Sequence, residues 1–93
     1  MVPYMKKKHL KLLQLIFKRP VSANVQWREV ESFLKEQGAV IKERGGSRVA
    51  IRIGDHVLHH HRPHPSPNMD KGAVVALRDY LENCGITPDG GKK

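Results

Sequence analysis

The segment AVIKERGGSRVAIRIGDHVLHHH, residues 39–61, decides the fold. In its centre Val49, Ile51 and Ile53 alternate with Arg48, Ala50 and Arg52, the period of two that sends successive side chains to opposite faces of a strand. Gly45 and Gly46 interrupt the pattern before it, and Gly54 and Asp55 after it, so AVIKER, RVAIRI and HVLHHH read as three strands joined by tight turns. Pro63 and Pro65 lack the N–H that a ladder needs and end the third strand. The expectation is a three-stranded antiparallel meander.

On either side the period becomes helical. From Lys6 to Phe17, Leu10, Leu13, Ile16 and Phe17 fall on one stripe, and Pro20 follows as a stop. Trp27, Val30, Phe33 and Leu34 repeat the stripe until Gly38, with Ser22 and Asn24 as candidate caps. After the third strand, a polar loop ends at Asp70, a cap for a last helix with stripe Val74, Leu77, Leu81 and Cys84, terminated by Gly85 and Pro88. The order ααβββα predicts an α+β sandwich whose helices cover one face of the sheet and leave the other open. Trp27 is expected in the core, and His9 and His56 at the surface.

Ninety-three residues make one small domain with one modest core and no second lobe to close over a substrate, so any active surface is shallow. A net charge of +8 favours a polyanionic partner, because each phosphate neutralised by Lys or Arg releases a condensed counterion. Charge alone suits an anionic membrane or an acidic protein equally well. Lys, Arg or Gln breaks every apolar stretch well short of the roughly 18–20 residues of a membrane span. The basic start MKKKHLK has no apolar h-region or small-residue cleavage site, so no signal peptide is expected. Cys84, the single cysteine, forms no internal disulfide and reads as a small apolar helix residue. Together these features predict a soluble protein of a reducing cytoplasm.

Residues 43–65 hold five of the six histidines and four arginines. His59 and His61 lie two apart on one strand face, with His64 just beyond, and three imidazoles are enough in number for zinc. No second cysteine, HExxH helix or carboxylate pair completes a familiar metal pattern, and Arg52 and Arg62 would repel a dication, so no metal is expected. A second reading has the histidines simply filling the exposed end of an edge strand. A third uses the chemistry of RNA, whose 2′-hydroxyl attacks the adjacent phosphodiester when one group removes a proton, another protonates the leaving 5′-oxygen and a cation steadies the phosphorane. Histidine with arginine supplies all three without a metal, since imidazole titrates near neutrality. Lys42, Arg44, Arg48, Arg52 and Arg62 lie on or beside the hairpin as candidate phosphate contacts.

The run FLKEQGAVIKERGGSRVAIRIGDHVLHHHRPHPSPNMDKGAVVALRDYLENCGI resembles the HicA toxins of bacterial HicA and HicB toxin and antitoxin pairs. Its marks are a helix ending in Gly, GA opening a strand, the GGS turn, the HRPHP exit and a final helix ending in GI, and the match runs over about residues 27–87. The resemblance implies one HicA-like domain over residues 1–88, with the helix over 6–18 an N-terminal addition, while the tail 89–93, DGGKK, reads as disordered. It also implies a double-stranded-RNA-binding-like fold, ribosome-independent cleavage of mRNA without a cofactor, and a HicB-like antitoxin whose partial RNase-H-like domain covers the active face. The family pattern reads Gly-Ser-His at the hairpin, with that histidine catalytic, whereas Gly46 and Ser47 are followed here by Arg48. Either a third-strand histidine, His61 or His59, with His64 as a further candidate, has taken the role, or the protein binds RNA without cutting it. The expected RNA contacts are Arg48, Arg52, Arg44, Lys42, Arg62 and Ser47.

Overall fold

The computed structural model describes residues 6–88, so the tail expected over 89–93 lies outside the described residues. The elements run α1 (Lys7–Ile16), α2 (Trp27–Glu36), β1 (Val40–Glu43), β2 (Arg48–Ile53), β3 (His56–His61) and α3 (Lys71–Asn83). The strands form one antiparallel sheet in the order β1-β2-β3. This is the α+β order expected from the sequence, with the helices on one side of the meander.

The strand parity follows from the register. Val49 stands opposite Glu43 and His60, and Ile51 opposite Ile41 and Leu58, so these residues share the face under the helices. Val49 and Ile51 are buried there with Phe33, Leu34, Val30, Val74, Leu77 and Leu81 in one apolar cluster. On the other face Arg52 lies between Val40 and Val57, and Ala50 between Lys42 and His59, in successive rows. Arg48 lies between His61 and Arg44, whose N–H donates to the Arg48 carbonyl at 2.9 Å.

α2 and α3 end the same way. The N–H of Ala39 bonds back to Leu34 and that of Gly38 to Lys35, and the N–H of Ile86 bonds to Leu81 and that of Gly85 to Glu82. This double reversal needs a left-handed residue, which Gly38 (φ 88°) and Gly85 (φ 78°) supply without a Cβ penalty. α3 starts where expected, with Asp70 accepting from the Ala73 N–H at 2.7 Å.

Three expectations need correction. Ser22 and Asn24 do not cap α2: its N-cap is Gln26 without a side-chain bond, while the Ser22 hydroxyl accepts from the Asn24 N–H at 2.9 Å. The stripe of α1 turns on Leu12, Leu13 and Ile16, with Leu10 left 38% exposed, because the helix packs on both α2 and α3. For the same reason His9, expected at the surface, is only 3% exposed and meets the Phe33 ring edge-on at 5.7 Å. α1 is thus part of the core. Lys6 pairs with Glu36 at 3.4 Å, across the start of α1 and the end of α2.

The polar loop after β3 is also held. An isolated bridge joins Gln26 and Asn68, with N–H bonds from Trp27 to Pro67 (3.1 Å) and from Met69 to Val25 (2.7 Å). Val25 and Met69 are buried between the two segments.

Candidate nucleic-acid interface

The open face of the sheet carries Lys42, Arg44, Arg48 and Arg52 as permanent cations, with His59 and His61 beside them. No acidic side chain stands among the strand residues of that face, because Glu43 falls on the opposite parity and Asp55 in the β2–β3 turn. Like charges held side by side without a counterion raise the local positive potential, and a bound polyanion relieves it. Val40 and Val57, both exposed, flank Arg52 in the row at one end of the face. Ala50 is the short residue in the middle row, between Lys42 and His59.

His61 lies directly across from Arg48. His59 sits two residues back on the same face, about 6.5 Å along the strand at the rise of an extended chain. Arg44, Arg48, His59 and His61 line one hollow at this end of the sheet, together with Val49 and His60. One Arg48 Nη2 donates to the Arg44 carbonyl at 3.5 Å, the outer limit for such a bond, so the guanidinium is only lightly held on the β1 side.

The other site candidates fall elsewhere. His64 is exposed in the loop beyond β3 and does not line that hollow. Ser47 is exposed in the β1–β2 turn, and its carbonyl accepts from the Arg62 N–H at 2.8 Å. Arg62 follows the parity of the covered face and reaches the Glu43 carboxylate at 3.0 Å. Its charge is therefore already balanced, whereas among the described residues none of the four cations of the open face forms an ion pair.

Three histidines in a row conceal a division of labour. His60 turns inward, 8% exposed, and its ring lies 4.6 Å from the Trp27 indole with a 37° tilt. Its Nε2 and the Trp27 Nε1 are both buried without a hydrogen-bond partner. Burial pushes the His60 pKa down, helped by neighbouring His61 and opposed by Asp70, which disfavours the charged form of the ring. Sequence reasoning did not single out His60, although Leu58 two residues earlier marks the inward parity. The buried Tyr80 hydroxyl donates to the His56 carbonyl at 2.9 Å, with the Ile51 carbonyl at 3.3 Å as a second acceptor for the same proton. Burial pushes that hydroxyl up to about 12, so it remains a donor.

Among the described residues no group of three or more His, Cys, Asp or Glu side chains is placed to hold a metal ion, and no helix is long and apolar enough to cross a membrane. Comparison of the chain with protein-family models, with curated proteins and with solved structures found no match.

Proposed function

We propose that this chain is the toxin of a toxin and antitoxin pair, a metal-independent endoribonuclease of the HicA type that cleaves mRNA in the cytoplasm. The observation that carries this reading is the pairing of Arg48 with His61 on a cationic face that bears no carboxylate. A phosphodiester seated there meets a guanidinium for the charge of the phosphorane and two imidazoles on one face. One imidazole accepts the 2′-hydroxyl proton and the other donates to the 5′-oxygen. Acid, base and cation all come from the chain. The motifs between residues 33 and 86 that resemble HicA toxins support the same reading, and an acidic HicB-like antitoxin fits the exposed charge of the face.

A second reading is favoured by two observations: Arg48 stands where the family pattern has histidine, and its Nη2 donates to the Arg44 carbonyl at 3.5 Å. On that reading the face binds RNA without cutting it. Incubating the purified protein with RNA in EDTA separates the two. Fragments ending in 2′,3′-cyclic phosphate support the nuclease, whereas retarded, intact RNA supports the binding module. A protein that neither retards nor cleaves RNA contradicts both.

A further inference from the structure

The bonds of Arg44 to Arg48 and of Arg62 to Ser47, combined with the register, settle which backbone groups the sheet consumes. Even-numbered residues of β2 bond to β1 and odd-numbered ones to β3, so in β3 it is His56, Leu58 and His60 that face β2. The N–H and C=O groups of Val57, His59 and His61 point away from the sheet. Among the described residues they have no backbone partner, and β3 is an outermost strand. β1 offers a shorter free edge, being four residues long against six for β3. A groove runs beside β3, bounded by Leu58 and His60 on the strand, by Asp70, and by the short side chains of Ala73 and Ala76 on α3.

An unpaired edge with a groove along it is the arrangement that accepts an extended segment as an additional strand. The surroundings specify its pattern. A strand added about 4.8 Å beyond β3 places alternate side chains on the open face next to Val57, His59 and His61. From there Arg48 and Arg52 lie two strands away, about 10 Å and beyond the Debye length of about 8 Å at physiological salt, so the preference for an acidic segment comes from the net charge of +8 over the whole chain. The intervening side chains drop into the groove, where Ala73 and Ala76 leave room for a medium apolar group. A second copy of this chain is a poor occupant, since it brings another +8 to the same edge.

We infer that the free edge of β3 is a docking site for an extended acidic peptide segment in which Asp or Glu alternates with Val-sized apolar residues, bound by strand addition. This inference does not require that the open face bind RNA, although the acidic side chains of the segment would lie on that face beside His59 and His61.

The test uses three capped heptapeptides and the whole protein: one alternating Glu and Val, one with Lys in place of Glu, and one Glu-Val peptide N-methylated at alternate residues on its pairing edge. The Glu-Val peptide is expected to bind one to one and to slow hydrogen exchange at the Val57, His59 and His61 amides. N-methylation is expected to cost about tenfold or more in affinity, because it removes backbone bonds while keeping charge. The Lys peptide is expected not to bind. Equal affinity of the N-methylated and unmodified peptides, or binding without protection of those three amides, overturns the inference. So does an RNA oligonucleotide that protects the same three amides in place of the peptide, or a free protein that dimerises through β3.

Discussion

The imidazole of His60 lies 4.6 Å from the indole of Trp27, so one histidine of the run at the end of β3 belongs to the core while its neighbours His59 and His61 face outward. The pleat of a single strand thus divides chemically identical side chains between the core and the open face. His60→Ala removes the ring contact and opens a void beside Trp27, and is expected to destabilise the fold by about 1–3 kcal/mol. His60→Phe keeps the ring and removes the unpartnered Nε2, and is expected to hold or raise stability. Urea denaturation of both variants checks this. A His60→Phe protein as unstable as His60→Ala contradicts the packing role.

Burial lowers the pKa of both His60 and His9 below the ordinary 6.5. The unfolded chain therefore binds more protons than the native state between 6.5 and the lowered native values, and in that window stability rises with pH. The contribution is complete above 6.5 and is lost progressively as the pH falls below it. Urea midpoints are expected to drop between pH 7.5 and 5.5, and to drop less in His60→Phe. A midpoint independent of pH in this range contradicts the assignment.

Tyr80 latches α3 to the turn between β2 and β3 through its bonds to His56 and Ile51. Tyr80→Phe deletes the donor but keeps the ring, and is expected to cost about 1–2 kcal/mol. Hydrogen exchange is expected to quicken most at that turn. Uniform quickening over the whole chain, or none, contradicts the latch.

RNA affinity is expected to weaken steeply with salt. Four cations that form no ion pair among the described residues, Lys42, Arg44, Arg48 and Arg52, give a log-log slope of about −3 for a single strand. Arg48→Ala is expected to reduce the slope by nearly one phosphate contact. Arg62→Ala is expected to change it little, because Glu43 already balances Arg62 at 3.0 Å. A slope near zero contradicts the open face as the binding surface, and equal effects of the two variants contradict the distinction between them.

Much of this frame was legible in the sequence because local and global signals agree. Trp27, Val30, Phe33 and Leu34 admit one helical phase, and all four are buried. The alternation of Arg48 to Ile53 fixed both the strand and its two faces. α1 was harder to phase, since Leu10, Leu12, Leu13, Leu15 and Ile16 permit more than one stripe and only the packing on α2 and α3 selects among them. That selection also carried His9 inside. The site was half legible: residue types and clustering pointed to the hairpin, but the partner of Arg48 depended on a register that turn lengths alone left open. Arg62 illustrates the limit, because its carboxylate partner lies 19 residues earlier, on another strand.

The central claim is that His61, paired across the sheet with Arg48, transfers a proton during RNA cleavage. The most direct measurement compares cleavage rate and RNA affinity for His61→Ala, His59→Ala, His64→Ala and Arg48→Ala. His61→Ala is expected to lose about 10²- to 10⁴-fold in rate with nearly unchanged affinity, because proton transfer acts in the transition state and not in ground-state binding. Arg48→Ala is expected to weaken both, and His64→Ala neither. Full cleavage in His61→Ala and His59→Ala alike would contradict the account.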